Sequence, residues 1–314
     1  MANFALKVTR LGFSLLQSVS PTLAGNAAFR LFCRTPSKRP KGEKARAAHA
    51  DGQKALAGTE RFDLRLPDGA HAYAYRFNGG AVGMRKRYLM VHGWGSSIDY
   101  MAGLVTALAA TGAEVIAVDL PGHGRATGRS LHMGQAVNAI RAAEIRFGSF
   151  DAVVGHSFGG AASMVGAAGL LPDVPAVLPD RLVLIGSPSE MQWLFKGFGK
   201  MIGLGRASQS VLERKVHDVT GRRLEDFDAG KAVGEIRRPV LVVHAEDDKE
   251  VSASHARRYA AFGQTVRLHW ANGLGHRRIV NAAPVIDTIL DFLRESDFEA
   301  EAEIIPLPTR RASS

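Results

Sequence analysis

Two kinds of apolar run alternate with polar, turn-rich segments from Arg61 onward. The first kind, FDLRL and HAYAYRF on either side of Pro67-Asp68-Gly69, switches between apolar and polar along its length and predicts a β-hairpin. The second kind is continuously apolar: YLMVH at 88–92, EVIAVD at 114–119, DAVVGH at 151–156, RLVLIG at 181–186, PVLVVH at 239–244 and VRLHWA at 266–271. Parallel strands, covered on both faces, have this continuous character. Helix-like segments lie between them, near 99–111, 132–147, 159–170, 253–262 and 281–294. Strand and helix in alternation predict an α/β fold. It should be an eight-stranded, mainly parallel sheet with helices on both faces and the hairpin at an antiparallel edge.

Residues 187–238 interrupt that rhythm between the sixth and seventh strands, and so long a connection is usually functional. The segment holds Met191, Trp193, Leu194, Phe195, Phe198, Met201 and Ile202, then a more polar helical piece from Gln209 to Thr220. It is expected to form a short helical cap over the carboxyl ends of the strands, where open α/β sheets bind ligands. Met191, Trp193, Phe195 and Phe198 are therefore candidate pocket residues, and the core of the cap is the other use for the same side chains.

The first 58 residues have a different character. Phe4, Val8, Leu11, Leu15 and Val19 recur at spacings of four and three, with Lys7, Arg10, Ser14, Gln17 and Ser18 between them. That is an amphipathic helix, ended by Pro21, and a second short stripe follows at Leu23, Ala27 and Leu31. Lys7 and Arg10 before a mostly apolar run loosely resemble a secretory signal, but the helical periodicity favours an arm that stays on the chain. The arm is expected to pack on the domain, with a membrane surface as the alternative. Residues 35–58, with Pro36, Pro40, Gly42 and several charges, read as a linker. The expected organisation is an arm and basic linker over 1–58, one domain over 59–298 and a tail over 299–314.

Charge sharpens this picture. The formal net charge is +10, yet residues 30–46 alone carry Arg30, Arg34, Lys38, Arg39, Lys41, Lys44 and Arg46 against Glu43. So local an excess suits an anionic surface better than a nucleic-acid groove, and a solvated linker better still. No nucleic-acid partner is expected. A single cysteine, Cys33, permits no intrachain disulfide, which fits a cytoplasmic location, peripheral at a membrane if the arm binds one. No stretch reaches the roughly 18 apolar residues of a membrane span, and no zinc-type Cys/His spacing is present.

The candidate chemistry begins at GHSFGG, residues 155–160, between an apolar strand and a helix of small residues. G-x-S-x-G in that context is a tight strand-to-helix turn that holds a serine hydroxyl up at the sheet edge. Ser157 is the candidate nucleophile. A serine hydroxyl needs a base, and the base needs a carboxylate to orient it. His276, in ANGLGHRRI after the last strand, is the natural base, while His269 sits inside a strand pattern and reads as structural. The acid belongs to HAEDDKEVS, residues 244–252. One oxyanion donor is the backbone N–H after the nucleophile, that of Phe158.

HGWGSS at 92–97, DLPGHG at 119–124, GHSFGG and the acid and histidine loops, in that order, resemble the α/β-hydrolase superfamily in its serine esterase, lipase and thioesterase-like branches. The resemblance spans roughly 60–295. It implies the α/β-hydrolase fold, no cofactor and no metal. Against the family's acid loop, approximately H-G-x-x-D-x-x-V-P, Asp248 takes the acid position, three before Val251; Ala245 and Ser252 depart from the pattern and leave Asp247 as the alternative. The resemblance also implies Trp94 N–H as the second oxyanion donor. His92, His123 and His156 are read as braces for their loops. Serine at the nucleophile position argues against the dehalogenases and epoxide hydrolases, which resemble this fold but use aspartate there. The expected function is cleavage of a small-molecule carboxylic ester with a hydrophobic acyl or alkyl group. A thioesterase, a lipase, a C–C bond hydrolase or a perhydrolase is the alternative, as is a slow or non-catalytic ligand-binding member of the fold.

Overall fold

The computed structural model describes residues 2–78 and 85–295, so the expected tail over 299–314 lies outside the described residues. The strands are β1 (Glu60–Arg65), β2 (His71–Phe77), β3 (Arg87–Val91), β4 (Glu114–Asp119), β5 (Ala152–His156), β6 (Arg181–Ile185), β7 (Val240–His244) and β8 (Val266–Trp270). They form one sheet in the order β1-β2-β4-β3-β5-β6-β7-β8. β2 runs antiparallel to both β1 and β4, and every other pairing is parallel. The mainly parallel eight-stranded sheet and its antiparallel hairpin edge are as the sequence predicts.

The continuous apolar strands are buried because both faces are covered. Alternate residues feed different cores: Leu89, Val91, Leu182 and Leu184 one, Tyr88, Met90, Val183 and Ile185 the other. Each such side chain contributes roughly 2 kcal/mol by leaving water.

The helices are α1 (Ala2–Val19), α2 (Pro21–Cys33), α3 (Glu43–Ala55), α4 (Ala102–Ala110), α5 (Met133–Phe147), α6 (Phe158–Ala167), α7 (Gln192–Ile202), α8 (Arg206–Thr220), α9 (Ala229–Ala232), α10 (Ser254–Phe262), α11 (Gly275–Arg278) and α12 (Ala283–Arg294). α5, α6 and α10 cover the first face, and α4 and α12 the second. The interval 187–238 holds α7, α8 and α9.

The N-terminal region departs from expectation in two ways. Residues 43–55, read as linker, form α3, a helix rich in the strong helix formers Ala, Lys and Glu. It docks on the turn at Ile98–Met101 so closely that a Cβ on Gly52 would run into the Asp99 backbone. The arm does pack on the body, but not by the stripe the spacing suggested. Phe13 is buried, Arg10 Nε donates to Met201 O (2.7 Å), and Gln17 exchanges hydrogen bonds with Gly203 O (3.1 Å) and Gly205 N (2.8 Å). Polar side chains make the inward contacts because backbone groups at the end of α7 and in the α7–α8 turn lie there to be bonded. Phe4, Val8, Leu11, Leu15 and Val19 face outward. α2 lies against α8, with Gly25 pressed onto Val211 and the Ser208 carbonyl. Beyond α2, Thr35 N donates to Arg129 O (3.0 Å) and Leu131 N to Cys33 O (2.9 Å), stitching the arm to the body.

Candidate active site

β5 ends at His156 and α6 begins at Phe158, leaving Ser157 alone in the turn at φ 51° and ψ −122°. Positive φ in a residue with a Cβ costs on the order of 1–3 kcal/mol and persists only where neighbours enforce it. Here Ser157 N donates to Ile185 O (2.8 Å). The flanking glycines allow the tight approach: a Cβ on Gly159 would strike the carbonyls of Val91 and His92, and one on Gly155 would sit 2.5 Å from Gly160 Cα. The turn therefore lifts the Ser157 hydroxyl off the sheet edge.

Loops after β7 and β8 bring two more side chains to that hydroxyl. His276 Nε2 lies 3.0 Å from Ser157 Oγ, and His276 Nδ1 lies 2.7 Å from Asp248 Oδ2. The other carboxylate oxygen of Asp248 accepts from Glu250 N (2.8 Å) and Val251 N (2.9 Å). Burial pushes this carboxyl up, but His276 and the two amides outweigh it and hold it below the usual carboxylate range. Asp247 points elsewhere and accepts from Gly273 N (2.8 Å). A proton on His276 Nδ1 satisfies Asp248 and leaves the Nε2 lone pair for the serine hydroxyl.

Three more histidines surround this chain and fix loops. His92 Nδ1 donates to Gly93 O (2.7 Å), and its Nε2 accepts from Leu120 N (3.0 Å). His123 Nδ1 donates to Pro121 O (3.0 Å), and its Nε2 accepts from Gly95 N (2.9 Å). His156 Nε2 donates to His276 O (2.9 Å). Burial pulls their pKa values down to about 4 for His92 and about 3 for His123 and His156. Trp94 is thus flanked by residues tied down on both sides, and a Cβ on Gly93 would lie 2.9 Å from Ser157 Cβ. Phe158, as the first residue of α6, carries an N–H without an intrahelical acceptor. The Trp94 and Phe158 rings meet edge-on at 5.8 Å.

Asp119, at the end of β4, is a support the sequence reading passed over. It accepts from Ile98 N (2.9 Å), Arg125 N (2.9 Å) and the Tyr75 hydroxyl (3.0 Å), which joins HGWGSS to DLPGHG. Burial raises its carboxyl despite those donors. An acid closing a continuous apolar strand is the signal that could have marked it.

A cavity of about 1700 Å³ opens above Ser157 and His276. Met191, Trp193, Phe195 and Phe198, the candidate pocket residues, all line it. Its other wall comes from the N-terminal arm, which sequence reasoning left out. Phe29, Leu31 and Phe32 line it too, with the Phe32 ring 4.3 Å from that of Phe195 and 5.2 Å from that of Phe198. Leu31, in the second apolar stripe, was the available signal. The lining also carries the basic side chains of Lys38, Lys41, Lys44, Arg125 and Arg278, with Asp99 and Glu250 among its acids. Lys38 Nζ bonds to Ala126 O.

The model of a family described as alpha/beta hydrolase matches residues 88–288. Among similar solved structures is Est1E from Butyrivibrio proteoclasticus, determined with ferulic acid bound. It is 18% identical, with a TM-score of 0.59 over 74% of this chain and 100% of that one. The esterase Pf2001 of Pyrococcus furiosus is 15% identical, with a TM-score of 0.57 over 83% of this chain and 95% of that one. The naproxen esterase (carboxylesterase NP) of Bacillus subtilis is 13% identical, with a TM-score of 0.54 over 80% of this chain and 98% of that one. No curated protein matches the sequence. At these identities the structural likeness speaks to the fold.

Proposed function

The chain belongs to the alpha/beta hydrolase family, and from that premise we propose that it is a serine hydrolase that cleaves carboxylic esters with a hydrophobic acyl or alkyl group. The observation that carries the reading is the hydrogen-bonded run from Asp248 through His276 to a Ser157 held at positive φ. Ser157 Oγ attacks the carbonyl carbon while His276 Nε2 takes its proton. Asp248, kept ionised by its amide donors, orients the imidazole and stabilises the cation that forms. The N–H groups of Phe158 and Trp94 receive the developing oxyanion, each worth roughly 3 kcal/mol. His276 then returns the proton to the departing alcohol, and water, activated the same way, releases the acid from Ser157. The aromatic chamber supports an apolar acyl or alkyl group beside the serine.

One observation favours a second reading. The basic side chains in the lining would suit a leaving group that carries negative charge, as in an acyl-thioester of a phosphorylated carrier. A panel of p-nitrophenyl esters and coenzyme A thioesters of matched chain length separates the two by kcat/KM. Ser157→Ala should lower either activity by at least about 10⁴-fold and abolish labelling by a fluorophosphonate probe. Activity retained in that variant would remove Ser157 from the nucleophile's role, and a wild-type serine that refuses the probe would leave a ligand-binding role in place of hydrolysis.

A further inference from the structure

Helix α1 has two apolar faces, and only one of them is used. Phe13 and Leu16 turn inward, towards α2 and α7. On the opposite side Phe4, Val8, Leu11, Leu15 and Val19 stand between 54% and 81% exposed, and Leu23 at the start of α2 continues the line. A helix lying on the surface of a body needs one apolar face, and a second contiguous one, on the order of several hundred Å², marks an interaction surface.

Charge says what covers it. The first acid in the sequence is Glu43, whereas Lys7, Arg10, Arg30, Arg34, Lys38, Arg39 and Lys41 precede it. On α1 the polar residues Lys7, Ser14 and Ser18 flank the apolar line along one edge, placing the ammonium where a long stem can lift it clear. Lys196, Lys200 and Arg206, all exposed, extend the basic character across α7 and the start of α8. A second copy of the chain would set this positive face against itself. No described helix is long and apolar enough to cross a membrane. An apolar line of about four turns edged by Lys7, in a region with basic residues and no acid before Glu43, is the form of a helix that lies in the plane of an anionic bilayer.

We propose that the outward face of α1, continued by Leu23, docks on the surface of an anionic lipid bilayer. The apolar line enters the acyl boundary, and the basic residues of the arm and of α7 meet the headgroups. The docking is independent of the reaction proposed above.

The experiment is sedimentation of the full chain with phosphatidylcholine vesicles, with and without phosphatidylglycerol. Binding should be at least about tenfold stronger with the anionic lipid and fall as salt is raised. The double variant Leu11→Asp, Leu15→Asp should lose at least about tenfold in partitioning with an unchanged circular dichroism spectrum and melting temperature. Should that variant misfold, Val8→Ser with Val19→Ser removes less apolar surface from the same line. Ile145→Asp, on the exposed side of α5, should bind as the parent does. Equal binding to both vesicles, no binding at all, or no effect of the α1 variants overturns the proposal. So does a dimer in light scattering that the α1 variants dissociate while vesicles are ignored.

Discussion

His92, His123 and His156 are buried and bonded to backbone groups, and burial outweighs the nearby carboxylates, Asp119 beside His92 and His123 and Asp248 near His156. Their depressed pKa values give the stability of the fold a pH dependence with a definite sign. In the unfolded chain each takes a proton as the pH falls through its ordinary value of about 6.5, while in the folded chain His123 stays neutral down to about 3. Protons then bind the unfolded state alone, so stability is full above 6.5 and declines below it. Each histidine adds about 1.4 kcal/mol per pH unit to that decline. His123→Gln keeps an acceptor for Gly95 N and should make the acid limb shallower by one proton's worth, read from urea melts between pH 6 and about 4. An unchanged slope would mean that His123 already carries a proton in the fold. The aspartate pair teaches a related lesson. Asp247 and Asp248 are neighbours in sequence and indistinguishable by composition, yet one caps the glycine turn before His276 and the other faces its ring. The loop pattern ranks them; only the backbone direction between Ala245 and Val251 separates them.

Phe32 joins parts of the chain that sequence keeps far apart. Its ring packs on Phe195 and Phe198, so α2 and α7 together set the width of the chamber. Phe32→Trp should shorten the acyl chain that is best hydrolysed, while Phe32→Ala should lengthen it. The alanine variant should also cost about 2–3 kcal/mol of stability through the void it leaves. A chain-length profile unmoved by either variant would put the acyl group elsewhere. The strands and the helices between them were legible because each is long, strongly patterned and buried by its immediate neighbours. α3 was not, because Gly52 inside it and the prolines before it carry loop signals that close docking on Asp99 overrides. The arm's inner face was hidden for a similar reason. Gln17 and Arg10 grip backbone groups, which no count of apolar residues reveals.

The arm and the body are joined by an exposed connection from Pro36 to Gly42, which holds no helix or strand. Trypsin should cut there, after Lys41, before it opens the sheet. The nicked protein should nonetheless elute from gel filtration as one species, because α2 remains seated on α8 and residues 33–35 remain bonded to 129–131. The two pieces should part in urea. Separation under native conditions would show that the arm is held by its tether alone. Helices α1, α2 and α3, which the sequence places before residue 58, all make contacts with the body that follows.

The chamber wall formed by Phe29, Leu31 and Phe32 lies ahead of the stretch shared with the family, which begins at residue 88. Likeness across that shared stretch therefore reports on the sheet and its loops and is silent about the wall of the room that the arm supplies. Two chains that agree throughout it could still part company over what they admit. A relative that begins differently is, for selectivity, a different lock around the same bolt.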